Sequence, residues 1–310
     1  MEILKQEELM KSRGYGATLN ESYRKFSGNL KTIVRHLWPY ALVLSLVVAA
    51  YVLAIQQAIV HPQLSTVVIL GISAMASLNT VAVIAFYARA MMLVNGKKMT
   101  WNVVRTIKIA LWIILIELVV TLVVGIVAIT TGYLTAPAQP DHPVANEAEM
   151  LLTAQQTTQA FLTTIGITLL AVVIITLLLL PLVYTFFKYY LEPETHFLKI
   201  LGKSYRCGLR HWGYMFVTEL ILLIAVGLVC LVVCLPLAVL FASMFLSASG
   251  VAQGDLPGMP SHFGWLLFFT TALTYFILSF IYVYCIFANC YLYGSIETRE
   301  KERLSAKTKE

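Results

Sequence analysis

The chain has 310 residues, 59% of them hydrophobic and only 12% charged, with a net charge of +6. Soluble domains carry about a quarter charged residues, so this chain cannot clothe a globular surface in polar groups, and lipid is the covering that remains. The positive surplus is distributed in a way that marks membrane topology rather than nucleic-acid binding, as the order of the segments makes plain.

The first 36 residues are polar, charged and amphipathic. They hold no short apolar stretch ending in a small-residue cleavage site, so no cleavable signal peptide is expected. Six apolar runs follow, at 37–60, 67–94, 107–134, 160–191, 214–246 and 264–292. Each reaches the ~20 residues that a membrane helix needs, and several exceed it, which predicts tilt or protrusion. Pro181 and Pro236 interrupt the fourth and fifth runs, and a kink is expected at each. The predicted fold is all-α, with six transmembrane helices arranged as three pseudo-repeated hairpins at about 37–94, 107–191 and 214–292. The predicted divisions are an N-terminal segment 1–36, a transmembrane domain 37–293 and a charged tail 294–310.

Lysine and arginine set the orientation. All 22 of them fall in four places: the N-terminus, the end of span two with the next connection, the end of span four with the next connection, and the C-terminus. The three connections on the other side carry only acids, Asp141, Glu147, Glu149 and Asp255. Both termini are therefore expected in the cytoplasm. The first outer connection, at His61 and Pro62, reads as a tight turn. The second, "TAPAQPDHPVANEAEMLLTAQQTTQ", is Pro-rich and then helix-permissive, so its later half is expected to extend span four. The third, "SGVAQGDLPGMPSHFG", reads as irregular.

On the inner side, "NLKTIVRH", "WNVVRTIK" and "SYRCGLRH" mix basic and apolar residues. Each is expected to form a short interfacial helix with its basic side chains near anionic phospholipid headgroups. Arg35, Arg89, Lys108, Lys203, Arg206 and Arg210 are the interfacial basic candidates. Their functional reading is lipid sensing or binding, and ordinary positive-inside anchoring is the preferred explanation. "LEPETHF" reads as a turn and a helix start with Thr195 as its cap, and "YTFFKYY" as an aromatic belt at the membrane surface.

"WIILIELVVTLVVGIV" (112–127) aligns without gaps on "YMFVTELILLIAVGLV" (214–229), at an offset of 102. Glu117 meets Glu219, Gly125 meets Gly227, and Trp112 meets Tyr214. Span one fits less closely, with Ser45 at the glutamate position. Glu117 lies nine residues past Lys108 and Glu219 nine past Arg210. Both are thus roughly 13 Å into their helices, near mid-bilayer. A carboxylate there is costly unless protonated or hydrogen-bonded. Asn79 sits at similar depth, and Thr121 is one turn from Glu117. Ser45, Asn79, Glu117, Glu219 and Thr121 form an intramembrane polar cluster if their helix faces meet. Such a cluster serves either as structural glue between hairpins or as a proton- or cation-responsive site, and Gly125 would let helices approach closely.

No Gly-rich phosphate loop, HExxH or GxSxG is present. The six histidines are scattered: His61, His142 and His262 outside, His36, His196 and His211 near the inner surface. No cysteine has zinc-ligand spacing with a histidine partner. Neither a metal, a cofactor nor a catalytic set is therefore expected. The hairpins with basic amphipathic lead-ins resemble six-span bacterial membrane proteins, among them the membrane domain associated with glycerophosphodiester phosphodiesterases and related envelope families. That resemblance implies a bacterial cytoplasmic membrane location and no chemistry, because the hydrolase part is absent. The leading expectation is a non-catalytic membrane component of the envelope, a scaffold or partner subunit for another membrane protein. The alternative is a transporter or lipid-handling protein that uses the intramembrane carboxylates.

Overall fold

The computed structural model describes residues 3–60, 66–136, 147–192, 196–254 and 259–309. Every regular element among them is a helix. Two short helices, α1 (Gln6–Leu9) and α2 (Tyr15–Gly28), precede α3 (Leu30–Val60) and α4 (Thr66–Asn95). Next come α5 (Met99–Thr135), α6 (Glu147–Leu179), α7 (Pro181–Leu191), α8 (Phe197–Arg210), α9 (Trp212–Ala252) and α10 (Phe263–Lys309). Among the described residues, six stretches are long and apolar enough to cross a membrane: α3, α4, α5, α6 with α7, α9, and α10. The protein is a multi-pass membrane protein.

Local chemistry explains where these helices end. Gly96, at φ +66°, takes the left-handed conformation after α4, and its N–H donates to the Met92 carbonyl at 3.0 Å. This is the ordinary way to close a helix with glycine. Asn95 and Asn102 then pair through their side chains at 2.9 and 3.3 Å, which ties α4 to the start of α5. Pro181 breaks span four into α6 and α7. Proline has no N–H to give the Leu177 carbonyl four residues back. That carbonyl receives the Trp212 indole N–H at 3.0 Å instead, and Leu178 receives the Tyr205 hydroxyl at 2.8 Å. Pro236 lies inside a continuous α9, and Pro39 inside a continuous α3.

Two of the three expected interfacial helices do not exist as separate units. "NLKTIVRH" runs into α3 and "WNVVRTIK" into α5, because no breaker separates either lead-in from its span. Only "SYRCGLRH" belongs to a discrete helix, α8. The later half of the second outer connection does continue span four, since α6 starts at Glu147. The tail expected at 294–310 is the last part of one unbroken helix, α10. His61 and Pro62, and Thr195 with its expected cap, lie outside the described residues.

α10 is the spine. It packs on α1, α2, α3, α4, α7 and α9. The main core gathers at the end of the bundle that carries the basic residues, hereafter the basic end. It draws on Ile3, Leu4 and Leu9, the first turns of α3, the last turns of α4, α7, the start of α9, and 283–296 of α10. Tyr190, Tyr291, Tyr293 and Phe287 are its largest fully buried side chains. "YTFFKYY" is therefore not a membrane-surface belt: Tyr184, Phe187, Tyr189 and Tyr190 are buried against protein.

The N-terminal segment closes over this core rather than lying on lipid. The Ile3 N–H donates to the Leu93 carbonyl at 2.9 Å, and Arg299 donates to the Arg13 carbonyl at 2.6 Å. Thr18 bonds the Tyr214 hydroxyl at 2.6 Å, deep between α2, α9 and α10. Gly294 lets the Leu9 backbone run directly against α10, where a side chain would collide with the Leu9 carbonyl. Away from the basic end, α3, α9 and α10 share a small second cluster at Leu237, Phe263 and Leu267.

Candidate functional site

α7, α8 and α10 meet around a cavity of about 880 Å³ at the basic end. α8 is amphipathic: Phe197, Ser204, Cys207 and Gly208 are buried, while Lys199, Lys203 and Arg206 are exposed. Gly208 makes this docking close, because a Cβ there would sit 2.8 Å from the Pro181 Cβ. The burial of one α8 face thus turns its basic face toward the cavity.

Two carboxylates from the last turns of α10 organise the walls. Glu297 accepts from the Tyr184 hydroxyl at 2.6 Å and from the Lys188 ammonium at 2.9 Å. Lys188 also lies 3.5 Å from Glu192, which accepts from the Tyr293 hydroxyl at 3.0 Å. Glu300 accepts from Arg210 and Arg303, both at 2.6 Å, and its other oxygen lies 3.4 Å from the His211 ring. Each carboxylate is thus neutralised by a partner. Lys199, Lys203, Arg206 and Lys301 line the same cavity and make no ion pair among the described residues. Among the described residues, seven cationic side chains face three carboxylates there, a surplus of four positive charges.

Cys207, His211 and Glu300 place their ligating atoms within 4.8 Å of one another. Sulfur, nitrogen and oxygen donors of this kind suit a zinc-like ion. Against that, Arg210 and Arg303 already hold Glu300, and burial pushes the Cys207 thiol above its usual range, which disfavours the thiolate that a metal needs. The arrangement serves better as a packed ion-pair corner. The one-turn spacing of Cys207 and His211 is visible in sequence; the approach of Glu300 from α10 is not.

The expected intramembrane cluster is not assembled. α5 packs mainly on α6 and α4, and α9 mainly on α10 and α2. Glu117 and Thr121 are exposed on α5. Glu219 is half-buried on α9 near Cys285 of α10, and one of its oxygens has no hydrogen-bond partner among the described residues. Ser45 is buried and returns its hydroxyl to the Leu42 carbonyl of its own helix at 2.9 Å. Asn79 on α4 has a buried oxygen with no partner among the described residues. Gly125 and Gly227 have open space where a Cβ would go, so neither marks a close helix approach.

The basic candidates divide. Lys203, Arg206 and Arg210 line the cavity. Arg35 and Lys108 are exposed elsewhere, and Arg89 lies over the Tyr40 ring at 5.7 Å. Sequence reasoning missed Arg105, which is buried between Trp101 at 4.1 Å and Tyr189 at 4.3 Å and donates to the Glu192 carbonyl at 2.9 Å. It also missed Glu297, Glu300 and Arg303, which looked like solvated tail. Their spacing of three along one helix was the available signal.

No protein family, curated protein or solved structure matches the chain.

Proposed function

We propose that the protein is a non-catalytic component of a bacterial cytoplasmic membrane, with both termini in the cytoplasm, that works as a scaffold or partner subunit by docking a helix of another membrane protein onto α5. One observation carries this reading. Glu117 lies 18 residues from each end of α5, and its side chain is exposed on the span with the least covered surface. A carboxyl group facing lipid at that depth is costly. A neighbouring helix that offers a hydrogen bond removes the cost and gains specificity, as polar side chains do between membrane helices. Thr121, on the same face one turn on, adds a second polar group.

A photo-crosslinking residue at Leu118, beside Glu117 on the exposed surface, tests it in intact cells. The expected result is one discrete protein adduct that survives Glu117→Gln and is lost in Glu117→Leu. Crosslinks to lipid alone would sink the reading. The rival, a transporter whose two glutamates share one site, has less support, because Glu117 and Glu219 lie on helices that pack on different neighbours. The inner-side placement of the termini rests on the distribution of lysine and arginine, and cysteine labelling from the outside at position 203 would refute it.

A further inference from the structure

We infer that the cavity between α7, α8 and α10 binds a dianionic phosphate group, and that the group is the headgroup of a phosphorylated lipid. The site goes beyond the α5 surface and is independent of it. Three features point the same way. The first is charge: Lys199, Lys203, Arg206 and Lys301 supply four cations that form no ion pair among the described residues, in a concave space rather than on a convex face. Unpaired like charges held together repel one another, and a polyvalent anion among them relieves that repulsion. The second is the pair Arg210 and Arg303 on the cavity wall, both converging on Glu300. Guanidinium groups suit phosphate oxygens bidentately, and Glu300 keeps this pair oriented. The third is position. α8 joins the end of span four to the start of span five, so the cavity opens where the chain leaves the bilayer. Leu198 and Leu209 of α8 and Leu304 of α10 are exposed apolar side chains close by, suited to acyl chains. A phosphomonoester carries close to two negative charges at neutral pH and three strong acceptor oxygens, which fits the surplus better than a monoanionic diester does.

The test uses the full chain in phosphatidylcholine nanodiscs, titrated separately with short-chain phosphatidic acid and with inorganic phosphate. Short-chain phosphatidic acid should bind the wild-type protein. Neutralising all four cations together (Lys199→Gln, Lys203→Gln, Arg206→Gln, Lys301→Gln) should weaken binding about a hundredfold or more. Neutralising four exposed cations outside the cavity (Lys31→Gln, Arg35→Gln, Lys97→Gln, Lys108→Gln) should change it less than about threefold, since those charges are separated from the site and screened. A charge-keeping set (K199R, K203R, R206K, K301R) should bind as the wild type does, which separates lost charge from lost fold. Binding of phosphatidic acid alone identifies the lipid as the source. Equal binding of inorganic phosphate supports the anion site and overturns the lipid assignment. Absence of binding by either probe, or equal losses in the two neutralised variants, overturns the proposal.

Discussion

The two ends of this bundle are built on different terms. At the basic end, seven helices and the N-terminal segment converge on buried tyrosines, a buried arginine and paired carboxylates. Toward the opposite end, α5 and α6 lean mainly on each other, and Ile129, Tyr133, Leu134, Leu151 and Leu152 are largely exposed. Every one of these spans is apolar, so hydrophobicity does not distinguish the ends. In lipid, an apolar side chain gains little by leaving hydrocarbon for protein. Convergence follows polar and aromatic contacts instead, and these sit where the chain meets water.

The sharpest way to break that contrast is to remove a ring from each end. Tyr293 is 1% exposed and hydrogen-bonded to Glu192, so Tyr293→Ala is expected to be severely destabilising. By analogy with large-to-small core changes the loss is about 3–5 kcal/mol. Trp265→Ala removes a larger ring that is 66% exposed near the other end, and should change stability by less than about 0.5 kcal/mol. Denaturant unfolding in matched detergent reads both, and equal losses would refute the contrast.

The next expectation concerns the break at Pro181. Trp212→Phe keeps the ring that stacks on Phe216 at 5.1 Å but removes the donor to Leu177. An orphaned carbonyl in this setting should cost about 1–3 kcal/mol. Returning the backbone donor with Pro181→Ala in the same chain should recover part of the loss, which a purely steric role of Trp212 would not allow.

A finer comparison sets the two aligned glutamates against each other. Glu219→Met replaces a half-buried carboxyl that has an unpartnered oxygen, and should leave the isolated protein equally stable or more stable. Glu117→Met should leave its thermal midpoint unchanged, because the side chain is exposed on α5. Destabilisation by Glu117→Met in detergent would show that Glu117 holds the chain's own fold.

The smallest effect lies at the N-terminus. The Lys25 hydrogen bond holds Glu8 below the usual carboxylate range, at a Lys–Glu distance of 2.5 Å. A depressed folded-state value means that this contact stabilises the docked segment above the ordinary glutamate range. The contribution fades as pH falls through the lowered value. Both groups are partly exposed, so the effect is slight and screened by salt. Hydrogen exchange over 15–28 at pH 6 and pH 4, corrected for intrinsic rates, should show modest loosening at the lower pH.

The six spans were legible because long apolar runs leave few alternatives, and Pro181 because proline withdraws a backbone donor, but nothing local told it apart from Pro236 and Pro39, which lie inside continuous helices. The difference between Glu117 and Glu219 was not. Their segments are apolar on all sides, so periodicity carries no sign of which face meets protein and which meets lipid. The N-terminal segment read only as polar, charged and amphipathic, and nothing local singles out Leu4, Leu9 and Leu19. Those same leucines are buried against α9 and α10 and their neighbours, a choice that only long-range contacts decide. The cavity was half visible, with Lys203, Arg206 and Arg210 legible as interfacial basic residues and its opposite wall hidden in what looked like a charged tail.

α10, at 47 residues and about 70 Å, follows in the chain every helix that it holds together. During synthesis the earlier spans enter the membrane before their common partner exists, and the basic-end core cannot close until α10 emerges. Over that interval Tyr184 lacks its Glu297 acceptor and Lys188 has only one of its two carboxylates, Glu192. Assembly of this protein is therefore a post-insertion event with a single late step. A nascent chain stalled before residue 263 should present those polar groups to the quality-control proteases of the membrane.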